Sequence, residues 1–533
     1  MSDLRASLLA YVDLTRPALV TGERSWSWEA YVAEASRRAH GLTRFWSEGR
    51  PRHVGILADN TPEMAFHLAA AGLGTHVVVG LNTTRRGEAL LADIRKADCA
   101  VVLAEPAYAD LLTGLDVGVP VLDPTTHDWG QATEVPLAEP HDDDLFMLVF
   151  TSGTGGAPKA VRVTHRKVTF PGRYLTEKLG IARDDVLFSA MPLFHSNGVM
   201  ANWALSVVNG CTVALPSSGR FSASTFLDDV RRHGATYVNY VGKPLSYVLA
   251  TPERDDDADN PLRLAFGNEA GERDLARFAE RFGCRVVDGF GSSENAVIVS
   301  RTPETPPGAL GVPQPGVKIL APDGSECPVA ARDETGRVTN LDECVGELVN
   351  TTGQGQFAGY YRDDAATAER MRDGMYWSGD LAYADADGFY WFAGRTADWL
   401  RVDGENLAAA PIEAILLRHP DVAQAAVYAV PDDVGDLLVA ALVLRPDADL
   451  DPASFEAFLA VQPDLSPKAW PRVVRLLDAL PTTPTNKILK RELRAEGLAG
   501  RVWTREPRAS AYRQAPQPHA PQEPPPHPPP TRS

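Results

Sequence analysis

The sequence predicts an α/β fold with a large N-terminal domain of helix-covered sheets, a β-rich subdomain and a small α+β C-terminal domain. Short β-rich segments alternate with helical patterns from about residue 50 to residue 300, and such alternation indicates sheets covered by helices. After Arg395 the pattern changes to a compact mixture of strands and helices. We therefore expect residues 1–395 to form the N-terminal domain, 396–500 the C-terminal domain and 501–533 a disordered Pro-rich tail.

The individual elements follow from apolar periodicity and from residues that end helices. The predicted strands of the first domain are His53–Leu57, His76–Val79, Cys99–Leu103, Thr236–Tyr240 and Arg285–Val287. Its predicted helices are Glu63–Ala70, Glu88–Lys96, Phe221–His233 and Glu272–Phe282, and glycines end the last two. Residues 305–360 are rich in Gly and Pro and predict the β-rich subdomain. The C-terminal pattern predicts a two-strand segment near Trp399–Asn406, helices from Pro411 and Pro452, and strands at Ala425–Val430 and Leu437–Leu444.

Composition restricts the classes of function. A length of 533 residues is enough for two or more domains, and a net charge of −18 argues against a general nucleic-acid surface. No apolar segment approaches the roughly 20 residues of a membrane span, and the N-terminus lacks the apolar region of a secretory signal. The five cysteines are odd in number and have no metal-ligand spacing, so we expect a reduced, cytoplasmic setting.

The segment Phe150–Lys159 (FTSGTGGAPK) combines hydroxyls, glycines and one lysine directly after an apolar run. Glycines let successive backbone amides converge on phosphate oxygens, and the lysine adds a positive charge. The segment is not a Walker A motif, because Pro158 precedes the lysine and Ala160 follows it. The alternation Val161–Val163 predicts that the loop joins two strands. Taken alone, the segment also fits an ordinary Ser/Thr/Gly turn.

Three further regions favour a phosphate-binding loop. In Asp288–Asn295 (DGFGSSEN), Phe290 can stack on a purine and Glu294 can reach a magnesium ion on ATP phosphates. Trp377–Leu381 (WSGDL) places a carboxylate after a tight turn, where it can accept two ribose hydroxyl hydrogen bonds, and Gly394–Asp398 places an arginine after another turn. Pro481–Leu493 places Lys487 at the loop end of an amphipathic helix.

Together and in this order, these segments resemble the adenylate-forming, acyl-activating superfamily of acyl-CoA ligases, luciferases and peptide-synthetase adenylation domains, over about residues 20 to 495. The resemblance implies a mobile C-terminal lid domain, ATP and CoA as substrates, and magnesium. It implies catalytic roles for Lys159, Glu294 and Lys487, and magnesium binding by Glu294 and Thr154. The implied nucleotide-binding residues are Thr151, Ser152, Gly153, Thr154, Gly155, Lys159, Gly267, Asn268, Glu269, Asp288, Gly289, Phe290, Gly291, Ser292, Ser293, Asp380, Arg395 and Lys487. The implied acyl-binding residues are His195, Tyr240, Val241 and Gly242.

The sequence departs from the superfamily pattern without losing a required group: Gly155 replaces a usual threonine, Ala160 a usual glycine, and Ala397 occupies the hinge position. The segments Asn239–Pro252 and Val402–Asn406 resemble those of fatty-acid-transport-protein-like, long- and very-long-chain acyl-CoA synthetases, most closely actinobacterial ones. This likeness implies a CoA ligase for a long-chain fatty acid, acting through an acyl-AMP intermediate. A ligase for steroid side-chain or other bulky carboxylates stays open, as does a catalytically silent nucleotide-binding or lipid-transport protein. Homodimerisation and peripheral membrane contact are also left open.

Overall fold

The computed structural model describes residues 1–151, 158–334, 336–395, 399–402, 405–432, 435–465, 469–482, 488–498, 501–506 and 511–514. These residues divide into two compact units. The first consists of Met1–Cys327 and Gly346–Trp391. The second consists of Pro328–Val345, Phe392–Thr482 and the described residues from Ile488 onward. The strand Tyr390–Arg395 crosses from one unit into the other.

A six-stranded sheet in the first unit carries the segment that ends at Thr151. Its strand order is Val121–Leu122, Val101–Ala104, His53–Leu57, Val77–Gly80, Leu145–Thr151 and Lys159–Thr164. The first five strands are parallel, and the last is antiparallel to its neighbour. The inner strands are apolar along their whole length, as is typical of a parallel sheet covered on both faces. The predicted α/β class is confirmed.

A nine-stranded sheet forms the second layer of this unit. Its order is Val312–Pro313, Val299–Ser300, Arg285–Phe290, Leu264–Asn268, Tyr237–Val241, Val186–Phe188, Thr212–Ala214, Pro17–Thr21 and Arg24–Ser27. The six strands from Arg285–Phe290 to Pro17–Thr21 are parallel. The carboxyl ends of Tyr237–Val241, Leu264–Asn268 and Arg285–Phe290 therefore meet at one edge of the sheet.

The β-rich part of the first unit contains the antiparallel strands Val317–Leu320, Gly346–Asn350, Met375–Ala384 and Met371–Arg372. The longer helices of this unit are Asp3–Leu9, Trp28–Leu42, Pro62–Gly72, Gly87–Lys96, His165–Leu179, Ala204–Asn209, Phe226–His233, Pro244–Leu249, Glu272–Phe282 and Asp364–Arg370. Local sequence explains their ends: Thr61, Thr164 and Asp363 cap helix N-termini with their side chains. Left-handed glycines such as Gly234 and Gly283 end others.

The second unit is a separate α+β body. Its main sheet has the order Val422–Asp432, Gly435–Leu444, Val473–Leu476, Arg501–Arg505 and Tyr512–Gln514, and Trp399–Val402 pairs with Glu405–Ala408. Its helices are Leu341–Cys344, Ala409–Leu416, Pro452–Ala460 and Lys490–Ala495. The fully buried Arg475 donates hydrogen bonds to the Tyr428 hydroxyl (2.7 Å) and to the Leu493 carbonyl (3.2 Å). It thereby fixes the last helix to the sheet.

The C-terminal boundary expected at residue 500 is wrong. The strands Arg501–Arg505 and Tyr512–Gln514 extend the sheet of the second unit, and Trp503 is fully buried. The physical reason is a short apolar pattern, Val502, Trp503 and Tyr512, that fills the core of this unit. The Pro-rich residues 515–533 lie outside the described part of the chain.

All five cysteines are free. Cys99, Cys211 and Cys284 are buried in the first unit, Cys344 is buried in the second, and Cys327 is partly exposed. None of the helices in the described ranges is both long and apolar enough to span a membrane.

Candidate active site

A hairpin presents the predicted phosphate loop. Leu145–Thr151 pairs with Lys159–Thr164, and Thr151 lies opposite Lys159 at the end of the ladder. The prediction that this loop joins two strands is therefore confirmed. Ser152, Gly153, Thr154 and Gly155 lie outside the described residues. The two described ends fix where the loop leaves and re-enters the sheet, at the carboxyl end of a buried parallel strand.

Tyr360 brings together two predicted site residues that are distant in sequence. The Lys159 ammonium lies over the Tyr360 ring, 5.1 Å from its centroid. The Tyr360 hydroxyl donates a 2.8 Å hydrogen bond to Glu294 Oε1. Lys159 also contacts the Glu369 carboxylate at 3.5 Å. The lysine of the phosphate loop and the predicted metal-binding acid thus share one neighbour.

Glu294 is held in its ionised form. Burial alone would raise the pKa of this carboxyl, but the Tyr360 hydrogen bond and the positive charges of Lys167 and Arg370 outweigh it and lower the pKa. Lys167 is fully buried on the helix His165–Leu179, and burial lowers its pKa to about 7 although the negative charge of Glu294 acts in the opposite direction. The site therefore contains a partly buried carboxylate surrounded by cationic side chains.

The predicted ribose-binding acid lies in a tightly held turn. Asp380 is buried at 8% exposure, and its backbone amide donates to Ser378 Oγ at 3.0 Å. The amide of Gly379 donates to Glu347 Oε1 at 2.6 Å, and Arg370 Nη1 donates to the Trp377 carbonyl at 3.3 Å. Gly379 has φ +77°, a conformation that favours glycine. The turn is thus fixed from two sides.

The remaining residues that are predicted to bind the nucleotide lie on three adjacent parallel strands. Gly267 lies opposite Asp288 and Asn268 lies opposite Gly289, whose carbonyl accepts a 2.6 Å hydrogen bond from the Asn268 side chain. On the other side, Tyr240 and Val241 lie opposite Gly267 and Asn268. Gly242 donates its amide to the Asn268 carbonyl at 2.7 Å. Phe290 ends its strand, and Glu269 follows Asn268 with φ +65°.

Tyr240 supports this edge from inside the protein. It has no exposed surface, and its hydroxyl shares its one proton between the Val287 carbonyl (3.1 Å) and Asp288 Oδ2 (3.0 Å). Burial raises the pKa of Asp288 to about 7, while the hydrogen bonds from Ala270 and Tyr240 act in the opposite direction. In this structure Tyr240 is a core residue that holds Asp288, and its role in acyl binding stays a prediction.

The predicted acyl-binding segment contacts the loop that is predicted to bind the nucleotide. Ser196 follows His195, and its hydroxyl lies 2.7 Å from the Ser293 hydroxyl and 3.4 Å from His195 Nδ1. The next residues, Val199–Trp203, form a π-helix, an irregularity frequently found at functional sites. The buried Asn239 amide donates to Asn197 at 2.8 Å, which anchors this segment to the sheet. Gly291 and Ser292 belong to the same loop as Ser293, before Glu294.

Three predicted positions lie either outside the described residues or in the second unit. Lys487 lies outside the described residues, as does the hinge position Ala397. Arg395 ends the strand Tyr390–Arg395 in the second unit. The structure also adds three residues that the sequence did not indicate: Lys167, Tyr360 and Arg370. Each belongs to an ordinary helical or loop pattern, and only proximity in the fold relates it to Glu294.

Comparison with known proteins identifies the family. The AMP-binding enzyme family matches residues 10–361, and the AMP-binding enzyme C-terminal domain matches residues 411–487. The chain belongs to the AMP-binding enzyme family. The medium/long-chain-fatty-acid–CoA ligase FadD17 of Mycobacterium marinum is 51% identical over 89% of this chain and 92% of its own length. The steroid-22-oyl-CoA synthetase of Rhodococcus jostii is 46% identical over 89% and 88%.

Solved structures of AMP-binding enzymes share the fold. The o-succinylbenzoate CoA synthetase of Bacillus subtilis, in complex with its acyl-adenylate intermediate, has a TM-score of 0.75 at 26% identity and covers 91% of this chain and 97% of its own. An ATP-bound RpMatB–BxBclM chimera has a TM-score of 0.81 at 24% identity, covering 93% and 98%. The resemblance to adenylate-forming enzymes, and to actinobacterial acyl-CoA ligases in particular, is confirmed.

Proposed function

We propose that this protein is an ATP-dependent acyl-CoA ligase that activates a hydrophobic carboxylic acid, with a long-chain fatty acid as the first candidate. The observation that carries the proposal is the arrangement of Lys159 and Glu294 around Tyr360, at the end of the phosphate-loop hairpin. The two relatives of about half identity, both named as CoA ligases of hydrophobic acids, support the substrate class.

The first half-reaction follows from the chemistry of a carboxylate. A carboxylate is a poor electrophile, so its oxygen attacks the α-phosphorus of ATP, the bond to the β-phosphate bridging oxygen breaks, and acyl-AMP and pyrophosphate form. Lys159 would stabilise the negative charge on the departing pyrophosphate. Asp380 would accept hydrogen bonds from the ribose hydroxyls. The strand edge of Gly267–Glu269 and Asp288–Phe290 would contact the base.

Glu294 has the properties of a magnesium-binding residue. Its pKa is lowered, so it offers oxygen ligands at neutral pH, and magnesium is commonly bound by one or two carboxylates together with substrate phosphates. The described residues contain no cluster of three or more His, Cys, Asp or Glu that could hold a metal alone. Bound magnesium would neutralise phosphate charge. The role assigned to Thr154 rests on the sequence alone.

The second half-reaction transfers the acyl group to CoA. The CoA sulfur attacks the acyl carbonyl carbon, AMP leaves with the bonding electrons, and the thiol proton is released. We propose that the C-terminal domain expected from the sequence provides Lys487 for the first half-reaction and then moves about a hinge near Ala397 before the second. Arg395, at the start of that hinge, would contact the ribose and phosphate of the nucleotide.

A screen of acids tests the proposal. Pyrophosphate release is measured with ATP, magnesium and straight-chain acids from acetate to C16, together with a steroid carrying a short carboxylated side chain. Each buried methylene contributes about 0.8 kcal/mol, so specificity constants should increase towards long chains. A maximum at acetate or propionate would overturn the hydrophobic-acid proposal, and absence of pyrophosphate release with every acid would overturn the ligase itself.

The steroid alternative has its own support in the relative from Rhodococcus jostii. A higher specificity constant for the steroid acid than for any straight chain would favour it. The catalytically silent alternative predicts nucleotide binding without pyrophosphate release.

We further propose a cytoplasmic setting, supported by five free cysteines. Dimerisation and peripheral membrane contact remain proposals, to be tested by light scattering and by co-sedimentation with vesicles.

A further inference from the structure

Arg370 lies between two parts of the candidate site. It is the last residue of the helix Asp364–Arg370, and its Nη1 donates to the Trp377 carbonyl at 3.3 Å. A Cβ atom added at Gly379 would overlap the same nitrogen. The guanidinium therefore packs directly against the turn that carries Asp380.

The same helix is tied to the Glu294 side of the site, because the Tyr360 amide donates to Thr367 Oγ1, one turn before Arg370, at 3.0 Å. Burial lowers the pKa of Arg370, but the nearby Tyr376, Tyr360 and Glu294 outweigh burial and raise it. Tyr360 in turn donates to Glu294 at 2.8 Å. Tyr360 and the helix Asp364–Arg370 therefore connect the Glu294 carboxylate to the arginine that bonds the Trp377 carbonyl.

We propose that Arg370 is a positioning residue that holds the Glu294–Tyr360 pair and the Trp377–Asp380 turn in one fixed arrangement. The groups that bind the phosphates and the ribose of ATP would then keep a fixed position relative to each other. This inference rests on the proposed function, because it assigns those two groups to Glu294 and Asp380.

Arginine suits this role because its planar guanidinium has five donors in a fixed geometry and can bond in two directions at once. A lysine would keep the positive charge near Glu294 but would lack the second arm towards Trp377. A methionine would keep much of the apolar stem and lose both functions. The two substitutions therefore separate the two contacts.

The experiment measures binding of ATP and of 2′-deoxy-ATP, with magnesium, to the full chain by titration calorimetry without acid or CoA. Arg370→Met should weaken ATP binding roughly 10- to 100-fold, because the hydrogen bond from a charged donor to the Trp377 carbonyl and the positive charge near Glu294 are both lost. It should also reduce the preference for ATP over 2′-deoxy-ATP. Arg370→Lys should restore much of the magnesium-dependent affinity but not the ribose preference.

Arg362→Met is the matched control, because Arg362 is an exposed arginine of the same region that pairs with Asp98. Melting temperatures of all variants are recorded. A purely structural role would lower the melting temperature of Arg370→Met and leave the ribose preference unchanged, and this outcome would overturn the inference. Equal losses in Arg362→Met would overturn it as well.

The same data separate this inference from the proposed function. If the unaltered chain binds ATP but releases no pyrophosphate with any acid, the ligase proposal fails. Nucleotide binding by Arg370→Met, compared with the unaltered chain, then still tests the inference. If pyrophosphate is released and Arg370→Met binds both nucleotides like the unaltered chain, the inference fails alone. An unaltered chain that binds neither nucleotide would overturn both.

Discussion

Tyr360 shows how single side chains assemble this site from distant segments. Its ring faces Lys159 and its hydroxyl bonds Glu294, so one residue orients both the cation of the phosphate loop and the predicted metal ligand. Loss of the hydroxyl would remove the largest of the interactions that lower the pKa of Glu294 and would leave the charges of Lys167 and Arg370. The roles proposed for Lys159 and Glu294 would therefore depend on a neighbour that takes no part in the reaction.

Replacement of Asp380 tests the ribose contact. Asp380→Ala should raise the KM for ATP strongly, because two hydroxyl hydrogen bonds to a charged acceptor, each of about 1.5–3 kcal/mol, are lost. The KM for the acid should stay the same. Steady-state kinetics with varied ATP checks this, with the exposed Asp387→Ala as the control from the next turn along the chain. An unchanged KM for ATP would show that Asp380 does not contact the nucleotide.

Lys487 is assigned by sequence alone, so its test separates the two half-reactions. Lys487→Ala should slow acyl-AMP formation by about 10²–10³-fold, the usual effect of removing one well-placed group that stabilises developing charge. Transfer of the acyl group from supplied acyl-AMP to CoA should be nearly unaffected. Rapid-quench measurements of each step check this, and equal losses in both steps would contradict the assignment.

At the scale of strands, close packing at Gly267 fixes the edge where the base would bind. A Cβ atom there would overlap both the carbonyl oxygen and the ring of Tyr240. Gly267→Ala should lower the free energy of unfolding by roughly 1–3 kcal/mol, as overpacked positions do, and should weaken ATP binding. Gly271→Ala is the control, because open space surrounds Gly271 and its φ is −71°. Equal stability of the two variants in urea would contradict this prediction.

Local patterns predicted most elements but not the contacts between them. Glu272–Phe282 was predicted to the residue, since acidic residues begin it and Gly283 ends it. The phosphate-loop hairpin was also predicted, because an apolar run and an alternating run flank a Gly-rich segment. Arg370 could not be predicted, because its partners Tyr360 and Trp377 become neighbours only after the β-rich sheet has formed. No periodicity encodes such a contact.

The two C-terminal strands were missed because they are short and precede a Pro-rich segment, yet they should matter for stability. A chain ending at Gly500 loses the fully buried Trp503, and loss of a buried Trp side chain alone typically costs about 3–5 kcal/mol. A chain ending at Gln514 should melt like the full chain, because the Pro-rich residues beyond it have little apolar surface to bury. Calorimetric melting of the two truncated chains checks this, and equal melting temperatures would contradict it.

For the whole molecule, two buried histidines predict sensitivity to acid. The rings of His67 and His76 lie 5.8 Å apart, and neither nitrogen of His67 has a hydrogen-bond partner among the described residues. Burial lowers the pKa of His76 to about 3 and holds the pKa of His67 well below its usual range. The unfolded chain therefore takes up protons at a higher pH than the folded protein does.

The free energy of unfolding should consequently fall as pH drops below about 6.5, by about 1.4 kcal/mol per pH unit for each such histidine. His67→Leu introduces an apolar side chain of similar size and should reduce this slope by the contribution of one histidine. Urea unfolding between pH 7 and pH 5 measures the slopes, with the exposed His141→Leu as the control. Identical slopes in the two variants would show that His67 does not contribute.

The native cysteines are placed so that their alkylation rates can report local opening of the structure. A buried thiol is alkylated only when the structure around it opens, so the reaction rate measures that opening. Cys344 reports on the second unit, whereas Cys99, Cys211 and Cys284 report on the first. The partly exposed Cys327 supplies the reference rate. Mass spectrometry of timed alkylation can therefore follow the opening of each unit separately, with and without nucleotide, and no substitution or added probe is needed.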